Sequence, residues 1–549
     1  MKFLRVALNS LVSGVFFSLL LSLLIADINI NLKPNLEFYS RLTIFITPLY
    51  GLALAFLFFL TYFLIQFTFG RSFRLKALSP SFLTLGFSFS LLFFLALCWL
   101  NYSFYRSFFS PETRSYLRFQ IITSGLLVFV GLTVFWRYHR YRRRPVYFLV
   151  YFLLFFAGMG AMFWSRGRFP QPPLPGKLTV LESLPTSRRA TLLSLEGLSF
   201  DFLIPLIHSG KLPNFSWLME NGSWGRLQTL SPTDPYILQQ SLKTGKNPYS
   251  HRCLGANGFK LWGKEPTVEA LPRFMLFKQL TRVGLLQVKP LKTQARKSIW
   301  DILTGMNLKL SLYEPEIGQE TETNQSPKME KIWLNFSPDP NPSDGRLRLV
   351  RQALNRDGRL EEKAYQEKTQ NQPQVLALFL DGLNQVETYF YKYSFPQLFG
   401  NIDHEEINRY GQIIEKYYQF YDQLLGKYLA NLKDEETLIV FSTHGMEPLP
   451  LWKRLVEWAL GNPEVSGHYE FAPDGVIFFY GQAVLRGQSL EKIRLIDITP
   501  TLLYILGLPV ARDMEGLVGS AVFRPEFSVQ NPIFYISSYD EVLIKPSRR

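Results

Sequence analysis

Five apolar runs in the first third of the chain, roughly residues 7–26, 43–69, 80–101, 119–136 and 146–164, decide its architecture. Each is long enough to cross about 30 Å of hydrocarbon as a helix. Lipid satisfies no backbone N–H or C=O, so such runs read as membrane-spanning helices. The first is preceded by Lys2 and Arg5, as a secretory signal would be. Its apolar stretch nevertheless exceeds the usual signal length, and Asp27 follows with no small-residue cleavage pattern. It is read as a span, which gives an all-α membrane domain over residues 1–164.

Orientation follows from the loops, because Lys and Arg collect on the cytoplasmic side. Lys2 and Arg5, then Arg71, Arg74 and Lys76, then Arg137, Arg140 and Arg142 to Arg144 fall on one side; the other loops carry chiefly Lys33, Arg41, Arg106 and Arg114. An odd number of spans with the N-terminus inside sends everything after Trp164 out of the cytoplasm. The expectation is a multi-pass protein of a bacterial-type cytoplasmic membrane with an extracytoplasmic C-terminal domain. Of 59 Lys and Arg, 18 lie in residues 1–178 against 3 of 44 Asp and Glu, so the rest of the chain carries 41 of each sign. The basic surplus therefore faces anionic lipid, and nucleic acid is excluded as a partner. No acidic residue occurs inside the five runs, which argues against a transporter or channel. The 48 Phe suit lipid-facing spans and core, and Cys98 and Cys253, separated by the membrane boundary, are not expected to pair.

Residues 165–187 form a Pro-rich linker, with Phe169-Pro170-Gln171-Pro172-Pro173-Leu174-Pro175-Gly176 too rich in proline for a helix. Beyond it, Ala190 to Leu195 reads as a first buried strand tipped by Glu196-Gly197. Helices over Phe200–Ser209 and up to Asn221 follow, then a strand over Gly225–Leu230. Later strands are expected at Val375–Leu380, Thr437–Phe441 and Val476–Tyr480, with an amphipathic helix over Glu405–Asn431. This alternation predicts an α/β domain over 188–549 with a mainly parallel sheet flanked by helices, and insertions in 255–370. Chemistry-bearing residues stand at strand ends: Glu196 after the first, and Ser442-Thr443-His444-Gly445 after the strand Thr437–Phe441, followed by Gly467-His468. Such loops are where an α/β enzyme holds its ligands.

Six dispersed segments carry a resemblance: Ser194-Leu195-Glu196-Gly197-Leu198, Gly210 to Phe215, Thr244-Gly245-Lys246-Asn247-Pro248 with His251, Ser298 to Leu303, Ser442 to Met446, and Ile496 to Pro509. In that order they resemble the type I phosphodiesterase/nucleotide pyrophosphatase family of the alkaline phosphatase superfamily. The resemblance implies an alkaline phosphatase-like fold, two divalent metals, usually zinc, held by Asp and His, and a Thr or Ser nucleophile on phosphorus. Two metals suit phosphoryl transfer because they activate the nucleophile and stabilise charge on the transferring group.

Carried over residue by residue, the first family Asp falls on Glu196, and the two family His on His444 and His468. The remaining ligand positions fall on Asn384, Thr388 and Thr443, whose neutral oxygens are poor zinc donors. The nucleophile position falls on Pro235 in an ungapped match, with Asp234 and Thr233 one and two residues away. Asp381 and Glu387 lie close in sequence to the altered helical pair, but on a regular helix neither shares its face. Apart from the resemblance, His444 and His468 read as hydrogen-bonding loop histidines, His208 and His251 as structural or exposed, and Glu196 as a helix cap.

The reading is a membrane-anchored phosphodiesterase-like protein, a pseudoenzyme with zinc absent or reduced to a single weak site. It would bind a phosphorylated or lipid-linked ligand, such as a glycolipid, or an envelope protein partner. The alternative is an active metal-dependent phosphodiesterase or phospho-group transferase with a rearranged metal site.

Overall fold

Apolar residues at successive strand positions point to opposite faces of a sheet, and the C-terminal domain uses this to build two cores. In the computed structural model, which describes residues 2–29, 31–69, 78–141, 146–167, 179–182, 186–261, 264–273, 281, 286–291, 296–315, 327–339 and 342–545, a seven-stranded sheet is formed. Its strands are β1 (Arg189–Leu195), β2 (Ser223–Gln228), β3 (Leu310–Tyr313), β4 (Val375–Leu380), β5 (Glu436–His444), β6 (Asp474–Tyr480) and β7 (Gln488–Arg494). The order across the sheet is β7-β2-β6-β5-β1-β4-β3. Leu193, Leu378 and Val440 align in register and face one core, while Leu192, Ala377 and Ile439 face the other. Helices cover both faces, which is why β5 is buried along its whole length.

Every pairing is parallel except those of β6, which runs antiparallel to both β2 and β5. The apolar run Val476–Tyr480 signals a buried strand but not its direction. Its reversal matters for the site: the start of β6 lies beside the ends of β2 and β5, with Asp474 paired to His444 and Gly475 to Leu227. The expected single helix over Glu405–Asn431 is two, His404–Tyr410 and Ile413–Ala430. The break falls at Gly411, where a Cβ would meet the Ile407 carbonyl at 2.7 Å.

The chain divides into two compact units, one of residues 1–173 with 248–295, the other of 174–247 with 296–549. The first holds five helices long and apolar enough to cross a membrane: α1 (Phe3–Ile28), α2 (Leu36–Leu64), α3 (Pro80–Phe104), α4 (Pro111–Tyr138) and α5 (Val146–Gly167). All five overlap the apolar runs. Gly14 of α1 and Gly51 of α2 cross so closely that a Cβ on the former would collide with the carbonyl of the latter. The insertion anticipated over 255–370 is thus shared between units. Its early part joins the helices: the Asn29 side chain at the end of α1 donates to the Ala270 carbonyl and accepts from the Glu269 and Ala270 N–H groups. Asn101 of α3 likewise accepts from Arg273 N–H. Its later part supplies α6 (Gly345–Gln370) to the sheet domain. The Pro-rich stretch 168–178 and the cationic residues Arg71, Arg74, Lys76 and Arg142 to Arg144 lie outside the described residues.

Candidate functional site at the C-terminal strand ends

Parallel strands deliver their C-terminal tips to one edge, and there Glu196 follows β1, Asp381 follows β4 and His444 ends β5. Glu196 is half-buried and heavily engaged. Its Oε1 accepts from Ser194 Oγ at 2.8 Å, and its Oε2 accepts from the Thr443 N–H at 3.1 Å and the Thr443 hydroxyl at 2.6 Å. His444 is buried with its Nε2 4.0 Å from the same oxygen. A carbonyl only accepts, so the 2.9 Å contact with Gly445 O places the His444 proton on Nδ1 and leaves Nε2 facing Glu196.

The helix α7 (Gly382–Ser394) carries Asn384 and Thr388 one turn apart. The Thr388 hydroxyl donates back to the Asn384 carbonyl at 2.9 Å, whereas Asn384 Oδ1 is buried without a hydrogen-bond partner. The backbone of Asn384 presses on Gly197, where a Cβ would sit 2.9 Å from its N. The loop Ser466–His468 runs along the same helix, Ser466 N–H donating to Thr388 O at 2.8 Å and Gly467 packing on the Glu387 carbonyl. That arrangement puts His468 beside Thr388's turn. The Tyr469 ring then stacks on both histidines, with centroids 5.3 Å from His444 and 6.5 Å from His468. The six residues Glu196, Asn384, Thr388, Thr443, His444 and His468 are therefore drawn to one end of the sheet.

The segment at the nucleophile position is tied to that end through the backbone, Thr233 N–H donating to Glu470 O at 2.8 Å. The three residues at and beside that position are engaged elsewhere. Thr233 is buried and donates to Leu230 O at 3.3 Å; Asp234 is exposed and caps the helix Pro235–Thr244 through the Tyr236 and Ile237 N–H groups; Pro235 is its first residue.

Lys453 went unremarked in the sequence. Its ammonium stands 2.6 Å from His468 Nε2 and pairs with Glu470, whose Oε2 is 3.5 Å from the same ring nitrogen. An ammonium has donors and no acceptor, so Nε2 is the accepting atom and its lone pair is engaged. Asp381 pairs with Arg356, and burial followed by the nearby Glu196 charge holds its carboxyl above the ordinary value despite that pairing. Glu387 is wholly buried 3.4 Å from Tyr418 OH, and burial pushes its carboxyl well above the usual range.

A dinuclear zinc centre needs about three strong donors for each ion. Here Glu196 and His444 supply two, Thr443 spends its hydroxyl hydrogen on Glu196, and a lysine occupies the lone pair of His468. Among the described residues, no group of three or more His, Cys, Asp or Glu side chains converges as a metal cage. The residues present do not fit the two-metal arrangement.

These features define a class: a multi-span membrane domain joined to an α/β domain of largely parallel strands with a polar site at their C-terminal ends. The profile of the type I phosphodiesterase / nucleotide pyrophosphatase family matches residues 190–482, more than half of the chain, and the chain belongs to that family. No curated protein matches the chain.

Proposed function

We propose that this protein is a membrane-anchored family member that has given up two-metal phosphodiester hydrolysis. It retains the site at the strand ends to bind a phosphorylated or lipid-linked ligand, or a partner in the cell envelope. The observation that carries the reading is the internal saturation of ligand positions: Thr443 donates twice to Glu196 Oε2, and Lys453 faces His468 Nε2. Thr443 in place of a carboxylate weakens the site's hold on cations, and Lys453, although paired with Glu470, sets an N–H donor beside His468 of the kind that binds a phosphate group. The extracytoplasmic side is drawn from the distribution of Lys and Arg among the loops.

A second reading, an active enzyme with a rearranged single-metal site, has one observation in its favour. Asn384 Oδ1 is buried with no partner at the end of the sheet where Asp381 feels the charge of Glu196. One experiment separates the two. The full-length protein, purified in detergent, is assayed for zinc by mass spectrometry and for hydrolysis of bis(p-nitrophenyl) phosphate. The proposal expects less than one zinc per chain and no turnover that depends on His444. Two tightly held zinc ions, with turnover abolished by His444→Ala, would overturn it.

A further inference from the structure

Surface helices ordinarily turn an apolar stripe toward the core and charged residues toward water. The helix Leu451–Ala459, which lies between the His444 strand and His468, does the reverse. Lys453 and Arg454 turn inward. Lys453 reaches His468 and Glu470, and Arg454 donates from Nε to Leu449 O at 2.6 Å and from a terminal nitrogen to Leu398 O at 3.1 Å, its guanidinium 3.9 Å from the Phe399 ring centroid. Its apolar residues turn outward: Leu451 is 75 % exposed, Trp452 58 %, Leu455 69 % and Trp458 69 %, and no residue of the helix is buried. Leu398 and Phe471, which Arg454 and Lys453 touch, are exposed as well and widen the face.

An outward face of Leu and Trp is costly in water and gains in an apolar medium. The chain itself says which medium is at hand. Five of its helices are long and apolar enough to cross a bilayer, and the eleven residues 168–178 that follow them span at most about 40 Å when extended. Two tryptophans flanked by Lys and Arg are also the composition of a helix lying at the membrane–water boundary, where rings sit among headgroups and cations meet lipid phosphate.

We infer that Leu451–Ala459 is an interfacial helix that lays Leu451, Trp452, Leu455 and Trp458 into the lipid surface. Docking there holds Lys453, and with it His468 and Glu470, at the level of the headgroups. The inference goes beyond the proposed loss of hydrolysis, and zinc content bears on neither arm of its test.

The test uses the full chain in vesicles of phosphatidylcholine and phosphatidylglycerol. In a Cys98→Ala, Cys253→Ala background, Leu455→Cys and Trp458→Cys carry a nitroxide, with Glu491→Cys as a water-exposed reference. Expected is collision with dissolved oxygen several-fold above collision with a water-soluble nickel chelate at both helix positions, and the opposite order at the reference. Nickel access equal to the reference overturns the inference. So does shielding from both agents that grows with the protein-to-lipid ratio, which would mean that a second copy covers the face. The unmodified chain gives an independent check by hydroxyl-radical footprinting in the same vesicles. Trp452 and Trp458 should be oxidised several-fold less than Trp217, although Trp217 is less exposed in the protein itself, at 41 %; equal or faster oxidation counts against docking.

Discussion

The hydroxyl of Thr443 donates to Glu196 Oε2 across 2.6 Å, joining the tips of two adjacent parallel strands at the position where the family resemblance implies metal ligands. A hydrogen bond to a charged acceptor contributes about 1.5–3 kcal/mol. Thr443→Val should therefore lower the thermal unfolding midpoint, and Thr443→Ser should largely preserve it. Thr443→Asp should behave differently: with EDTA it sets a second carboxylate against Glu196 and destabilises the fold, and added zinc should recover part of the loss by binding the native state. Differential scanning fluorimetry with and without zinc checks both. A wild-type midpoint that climbs with zinc as much as that of the Asp variant would contradict the donor-set argument.

Gly197 has φ +100°, and a Cβ there would meet Asn384 N and Glu387 Oε2, each at 2.9 Å. L-residues avoid that conformation, and the space is already filled by the start of α7. Gly197→Ala is expected to cost at least about 1–2 kcal/mol. It should also separate α7 from the β1 tip, read as faster amide exchange over residues 382–388 by mass spectrometry. Unchanged exchange and stability would show that α7 yields at no cost.

Asp357 is wholly buried, and burial with the nearby Asp381 charge pushes its carboxyl up to about 7, even though Tyr417 OH, Tyr421 OH and Gly382 N–H donate to Oδ2 and Arg356 lies close. The folded state thus holds the proton more tightly than the unfolded chain does. The sign is fixed by linkage: the associated stability is present below about 4 and is lost as pH rises toward 7. The unfolding midpoint should fall between pH 5 and pH 8 more steeply in the wild type than in Asp357→Asn, whose amide does not titrate. Glu387 and Asp381 shift in the same direction and remain in both proteins, so the two slopes differ by Asp357 together with its coupling to Asp381. Parallel curves would contradict the assignment.

The strands of the sheet were legible because burial on both faces writes an uninterrupted apolar run, and Val375–Leu380 falls where its residues predict. Strand direction was not, since the run Val476–Tyr480 looks the same forwards or backwards and only its register against β2 and β5 fixes the sense. Glu196, Thr443 and His444 could be placed at strand tips from their position after apolar runs. Lys453 could not. An amphipathic pattern shows that a helix has two sides without showing which one faces the protein, and the default of apolar side inward hides a lysine that reaches the site.

In the helical unit, the Arg166 side chain at the end of α5 donates to the carbonyls of Ala26 at 2.9 Å, Asn29 at 3.1 Å and Leu32 at 2.9 Å, with its Nε 3.8 Å from the buried Asp27 carboxylate. The last carbonyls of a helix have no partner within it, and here a planar fork of N–H groups from another helix supplies one at the end of α1. Lysine presents a single charged nitrogen, so Arg166→Lys keeps the charge and forfeits part of the fork. Arg166→Met removes both and leaves Asp27 buried without its cation, a loss of about 3–5 kcal/mol for a buried pair. The expected order of thermal stability in detergent is wild type, then Lys, then Met, and Asp27→Asn should recover part of the Met variant's loss because the stranded charge is gone. If Arg166→Met unfolds at the wild-type midpoint, or Asp27→Asn gives no recovery in its background, the Arg166 fork does not hold these two helix ends together.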